Sequence, residues 1–163
     1  MHFPTFIAAT CATLAAANQP STYSNTNTNS YPKSSNTNLT PGTFSITNFV
    51  FGCTVNCSYN FDLAVTGSAE NHPAVKKPVK CSGSLDSTTD YVECGYVSKT
   101  QKLYAYIVKD TNELKLQYEV QRPKNSAVYK YYGEREVFAA TGPDAGKQEK
   151  EFVVKESLST GVA

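Results

Sequence analysis

The sequence predicts an all-β fold: a compact antiparallel β-barrel or sandwich of about seven to nine strands, held by two disulfides and preceded by a disordered N-terminal arm. Three observations carry that expectation. Apolar and polar side chains alternate with a period of two, most cleanly at Tyr59, Phe61, Leu63 and Val65 and again at Leu114, Leu116, Tyr118 and Val120. The chain carries 11 Tyr and 8 Phe but no Trp, and such aromatics favour the pleated, half-buried surface of a sheet. No stretch sustains the helical period over about eleven residues.

Taken in order, the chain opens on a leader. Met1-His2-Phe3-Pro4-Thr5 runs into an apolar segment of small residues through Leu14 and ends in Ala15-Ala16-Ala17, the small-x-small pattern cut by a signal peptidase. The run is shorter than the roughly 20 residues that span a bilayer. Residues 1–17 therefore read as a signal peptide, and the protein as secreted. Residues 18–41 follow as an arm in which Asn, Ser and Thr supply two thirds of the positions. It has too little apolar surface to offset the entropy of ordering, so it is expected to be disordered. Asn38-Leu39-Thr40 within it is an N-glycosylation sequon. Asn56-Cys57-Ser58 fits the same pattern, but a disulfide at Cys57 would compete with modification there.

The folded domain is expected over residues 42–156, with a flexible tail at 157–163. Strands are expected at Thr43–Phe51, Ser58–Thr66, Pro78–Gly83, Tyr91–Val97, Lys102–Lys109, Leu114–Gln121, Val128–Ala139 and Phe152–Lys155. Turn signals separate them at Thr66-Gly67-Ser68, Ser82-Gly83-Ser84, Lys109-Asp110-Thr111-Asn112 and Arg122-Pro123-Lys124-Asn125.

Cys11 departs with the leader, leaving Cys53, Cys57, Cys81 and Cys94. An even number in an oxidising compartment reads as two disulfides, with three pairings open. Zinc is a poor alternative, because Cys53-x3-Cys57 joined with a later pair that has twelve residues between its members fits zinc spacing poorly, and secretion argues against it. If Cys53 pairs with Cys57, the chain between them must turn tightly: four extended residues would hold them about 13 Å apart, beyond the roughly 4.4–6.8 Å of a disulfide. The flanking strands would then be antiparallel neighbours, and Cys81 and Cys94 would tie the strand near Val79 to the strand near Val92.

Phe44-Ser45-Ile46-Thr47-Asn48-Phe49, then Tyr59-Asn60-Phe61, Cys81 and Tyr91-Val92-Glu93-Cys94 together give residues 43–140 a family likeness. This stretch resembles the ascomycete secreted proteins related to the major allergen of Alternaria. The resemblance implies a compact antiparallel β-barrel, with Cys81–Cys94 matching that family's first disulfide. Two departures stand: the family's second bridge lies late in the chain whereas Cys53 and Cys57 come early, and the intersubunit Cys near the mature N-terminus has no counterpart. The resemblance also implies a secreted effector or elicitor that binds a host extracellular protein or plant polyphenol in the host apoplast or at the fungal cell wall. A monomer or non-covalent dimer is expected. The family supplies no catalytic residues to carry over.

The residues themselves point the same way. Beyond the leader, His72 is the sole histidine, and its neighbours Glu70, Asn71 and Pro73 suggest a solvated loop rather than a catalytic base. With the cysteines paired there is no free thiol, and neither a phosphate-binding glycine loop nor a set of metal ligands is visible, so no cofactor is expected. A glycosidase needs two carboxylates about 5–9.5 Å apart. Asp62, Asp86, Asp90, Glu93, Glu134 and Glu136 are available, but they are ordinary on solvated strand faces and no Trp platform accompanies them. Lys and Arg, 15 in all, balance 14 Asp and Glu, which argues against nucleic-acid and membrane partners. Lys76, Lys77 and Lys80 form the densest basic cluster and read as a solvated loop.

Tyrosine is the remaining candidate chemistry. Tyr129 and Tyr131 would share one strand face while Tyr132 points to the other, and Tyr104 and Tyr106 pose the same choice between core and solvent. Tyr presents a flat apolar body with a polar tip, suited to partner proteins, sugars or polyphenols, although core and sheet-edge packing is its commoner use. A filled core with outward Tyr would favour a surface-recognition protein. An apolar cavity with inward hydroxyls would favour a carrier of a small aromatic metabolite such as a flavonoid. A structural wall or spore-surface component is a third possibility, suggested only by the glycosylatable arm.

Overall fold

The computed structural model describes residues 41–68, 71–86, 90–122 and 127–162. The leader, the arm through residue 40 and Asn38 lie outside the described residues. Nine strands are described: β1 (Thr43–Cys53), β2 (Cys57–Thr66), β3 (Val75–Ser84), β4 (Val92–Glu93), β5 (Gln101–Val108), β6 (Glu113–Gln121), β7 (Val128–Glu136), β8 (Phe152–Lys155) and β9 (Leu158–Val162). They form two antiparallel sheets in the orders β3-β2-β1-β8 and β4-β5-β6-β7-β9. The sole helical element described is a single 3-10 turn at Ala145–Lys147.

The fold is a sandwich; the closed barrel that the family resemblance implied is not formed. Closure needs a continuous ladder between the sheet edges, and two features interrupt it. Strand β4 is only two residues long. In β3, Val75 and Val79 pair with Val65 and Leu63, so Lys76-Lys77-Pro78 bulges opposite Ala64 alone.

The core lies between the sheets. From the first sheet it takes Phe44, Ile46, Phe49, Phe51, Phe61 and Leu63, and from the second Leu103, Ile107, Leu114, Leu116 and Tyr118. Burying each such side chain contributes about 1.5–3 kcal/mol. In β1 the inward positions switch from even to odd, because the register jumps between Thr47 and Val50. Asn48 and Phe49 together oppose Phe61, a β-bulge in which Asn48 takes φ +53°. The Phe44-x-Ile46-x-x-Phe49 spacing is therefore a strand with one extra residue, and all three side chains reach the core.

Several expected boundaries moved. Strand β3 runs straight through Ser82-Gly83-Ser84, which is not a turn, and the chain reverses instead at Leu85-Asp86. The strand expected over Tyr91–Val97 stops at Glu93: Cys94 N–H still donates to Leu103 O in one sheet, but Gly95 N–H donates to Lys80 O in the other. The chain crosses between sheets at that point. Part of the expected flexible tail is a strand, since β9 pairs with β7 from Tyr132↔Leu158 to Val128↔Val162. Both disulfides form. Cys53–Cys57 closes the β1–β2 hairpin at a Cα separation of 4.0 Å, and Cys81–Cys94 joins the two sheets at 4.4 Å.

Candidate functional site

The outer face of the five-stranded sheet gathers tyrosines that are far apart in sequence. Along β5 the residues Leu103, Ala105 and Ile107 are buried, which turns Tyr104 and Tyr106 outward. Register then aligns Glu93, Tyr104, Gln117, Tyr132 and Leu158 in one row across all five strands. Tyr91, one residue before β4, stacks edge-on against Tyr106 at 4.9 Å and lies 6.5 Å from Tyr132. Tyr91, Tyr104, Tyr106 and Tyr132 are each partly exposed, Leu158 is 58% exposed, and Gln117 between them is buried. Burial pushes the Tyr91 phenol up to about 12, with the neighbouring Tyr106 adding to the rise. Burial also raises the Tyr104 phenol, helped by Glu119.

Ion pairs flank this strip on both sides. Lys102 bonds Glu93 at 3.1 Å and Lys130 faces Glu119 at 3.6 Å on one flank. On the other, Lys115 bridges Glu113 at 3.0 Å and Glu134 at 3.1 Å, and those two hydrogen bonds hold its ammonium well above the usual lysine range. An aromatic centre with a charged, wet rim is the anatomy of a protein–protein contact.

Of the five tyrosines singled out from sequence, Tyr104, Tyr106 and Tyr132 share this face. Tyr129 and Tyr131 do not: they turn inward and pack on the core. Tyr91 and Leu158 were missed as members of the face. Tyr91 sits just outside a strand, and Leu158 fell in the expected tail. Pairing of the Tyr91 segment with residues 102–109 was the signal that could have placed Tyr91 beside Tyr106.

Three inward hydroxyls are occupied. Tyr59 Oη donates to Ala105 O at 2.8 Å, Tyr118 Oη to Pro73 O at 2.8 Å and Tyr131 Oη to Asn71 O at 2.9 Å. Burial pushes both the Tyr59 and Tyr118 phenols up to about 12. The expected solvated His72 is instead 1% exposed, with its ring edge-on to Tyr131 at 4.1 Å and Tyr118 at 5.3 Å. The Ser68 N–H donates to His72 Nδ1 at 3.0 Å, which places the ring hydrogen on Nε2. Nε2 faces Glu156 Oε1 in direct contact. The carboxylate's other oxygen accepts from Gly42 N–H at 3.1 Å. This buried pair pins the start of β1 to the turn after β8.

Three clefts hold about 10, 440 and 600 Å³. The smallest, at Phe49 and Phe152, has room for about one water. The two larger ones are open grooves, and none of Tyr91, Tyr104, Tyr106 and Tyr132 lines either. Among the described residues no helix is long and apolar enough to cross a membrane, and the two disulfides fit an oxidising compartment. Comparison with known proteins gave no matching family model, curated protein or solved structure.

Proposed function

We propose that this is a secreted, non-catalytic recognition protein, effector- or elicitor-like as the resemblance to the Alternaria allergen family implies, whose outer tyrosine face binds a host extracellular protein. The observation that carries this reading is the division of the tyrosines. Tyr59, Tyr118 and Tyr131 face inward and spend their hydroxyls on backbone carbonyls, while four others lie together on one sheet face between charged rows. A flat aromatic face suits a protein surface, whereas a small polyphenol needs a concave pocket that buries most of it. The leader and the paired cysteines support secretion.

The test is infiltration of the purified, disulfide-intact protein into host leaf, beside a reduced and alkylated control and the variant Tyr91→Ala/Tyr104→Ala/Tyr132→Ala. The intact protein is expected to trigger a defence response, and the other two to be silent. Partner affinity should fall by roughly 1–2 kcal/mol per tyrosine removed. An undiminished response from the triple variant, with its melting temperature unchanged, would reject the face. Saturable quenching of tyrosine fluorescence by a flavonoid, retained in that variant, would favour the carrier instead.

A further inference from the structure

The cluster Lys76, Lys77 and Lys80 does not sit on a loop: it lies along the edge strand β3, Lys76 and Lys77 in its bulge and Lys80 just beyond it, and all three line a groove. The opposite wall is the 94–100 connection. The groove holds about 440 Å³, and Lys76, Lys77, Pro78, Lys80, Tyr96 and Gln101 are among its lining residues. We propose that this groove binds an acidic polysaccharide, a polymer of uronic acids, through lysine–carboxylate contacts and stacking of a sugar ring on Tyr96.

Charge carries the first step. Five lysines elsewhere are neutralised locally: Lys102, Lys109, Lys115, Lys130 and Lys147 each have a carboxylate within ion-pair distance. Lys76 and Lys77 are exposed and have no such partner among the described residues, and no Asp or Glu lines the groove. Lys80 reaches Asp62 at 3.3 Å with its side chain still 78% exposed. A chain of formal net charge +1 thus sets two unpaired lysines, with the ion-paired Lys80 beside them, along one concave wall. Protecting a sheet edge from aggregation accounts for lysines and a proline on β3. It does not account for the groove or for the tyrosine across from them.

Tyr96 is that tyrosine, 78% exposed on the facing wall. The two walls are fixed relative to each other. Cys81–Cys94 bridges them, and Gly95 N–H donates to Lys80 O at 2.7 Å. At Gly95 a side chain could not be added freely, since its Cβ would lie 3.0 Å from Val79 Cγ1. Gln101 is held by Ser98 Oγ at 3.1 Å and itself donates to Tyr118 Oη at 2.6 Å, so the far end is anchored to the core. A preorganised groove loses little entropy on binding.

The same features select a polysaccharide over a nucleic acid. Duplex DNA presents a charge about every 1.7 Å, and its binders draw on about six to ten phosphate contacts, more than three lysines supply. A uronic-acid chain offers one carboxylate per sugar and an apolar ring face that matches a lone tyrosine.

Calorimetric titration of the full, oxidised protein with polygalacturonate oligomers tests the inference. Binding is expected at low ionic strength and should weaken with salt. It should fall at least about tenfold in Lys76→Glu/Lys77→Glu as lysine–carboxylate attraction becomes repulsion, and fall in the same direction in Lys76→Gln/Lys77→Gln and in Tyr96→Ala. The control Lys150→Glu/Lys155→Glu removes two other exposed, unpaired lysines and should bind as the parent does. Absence of binding would overturn the proposal. So would equal loss in the control, equal affinity for the fully methyl-esterified polymer, or equal affinity for single-stranded DNA of the same charge.

Discussion

His72 and Glu156 make the clearest case at the scale of single residues. The imidazole is buried and the Glu156 side chain is 9% exposed, so His72 Nε2 and Glu156 Oε1 depend on each other for their polar contact. Removing one partner of a buried pair leaves the other desolvated, at a cost of about 3–5 kcal/mol. We expect His72→Ala to lower the unfolding free energy by about 3 kcal/mol, and Glu156→Gln, which keeps an acceptor, by less. Urea denaturation of both variants measures this, and a loss below about 1 kcal/mol in His72→Ala would show that water reaches the pair. Gly42 belongs to the same station, because a Cβ there would overlap both Glu156 and the His72 ring. None of this was legible in sequence. Asn71-His72-Pro73 has the composition of a solvated loop, and the carboxylate that buries it arrives from the far end of the domain.

Between residue and molecule, the elements divide by how local their cause is. Strands β2, β5, β6 and β8 were readable because one face of each meets the core and their alternation records that fact. Strand β4 was overread, since its length is set by where the chain crosses from one sheet to the other. Strand β9 was missed because all five of its residues are exposed: backbone bonds to β7 hold it, and backbone bonds leave no side-chain pattern. The outward tyrosine face suffered in the same way, as its two unforeseen members lie just before β4 and at the start of β9. The β1 bulge lies between these extremes, visible as a spacing but not as a shape. Asn48 takes a left-handed conformation there and donates to Asp62 Oδ2 at 2.7 Å. That hydrogen bond, with Lys80 beside it, holds the Asp62 carboxyl below its ordinary range. A β-branched residue is strained at such a φ, so Asn48→Val should cost about 1–2 kcal/mol. Asn48→Gly loses the side-chain bond but relieves the backbone, and should stay within about 0.5 kcal/mol of the parent. Equal losses in the two variants, read from thermal melts, would mean that the hydrogen bond and not the backbone conformation sustains the bulge.

For the molecule as a whole, the two disulfides do unequal work. Cys53–Cys57 closes a hairpin whose strands already pair residue by residue up to Cys53↔Cys57. Cys81–Cys94 spans 13 positions and joins the two sheets, at the point where the chain passes from one to the other. Loop-closure entropy assigns about 2 kcal/mol to the short loop and about 3 kcal/mol to the longer one. Together they are comparable to the whole margin of a small domain, about 5–15 kcal/mol. The same covalent tie fixes the lysine groove, whereas the hairpin bridge lies outside it. Cys53→Ala/Cys57→Ala should therefore lower stability by about 2 kcal/mol and leave polygalacturonate binding intact. Cys81→Ala/Cys94→Ala should lower it by about 3 kcal/mol, and should weaken polygalacturonate binding even under conditions where the variant is fully folded. Guanidinium unfolding, with the slope compared against the parent, gives the first quantity, and calorimetry at the same temperature gives the second. If binding survives loss of the inter-sheet bridge, the groove walls are held by the Gly95–Lys80 backbone bond and the packing on Val79 alone.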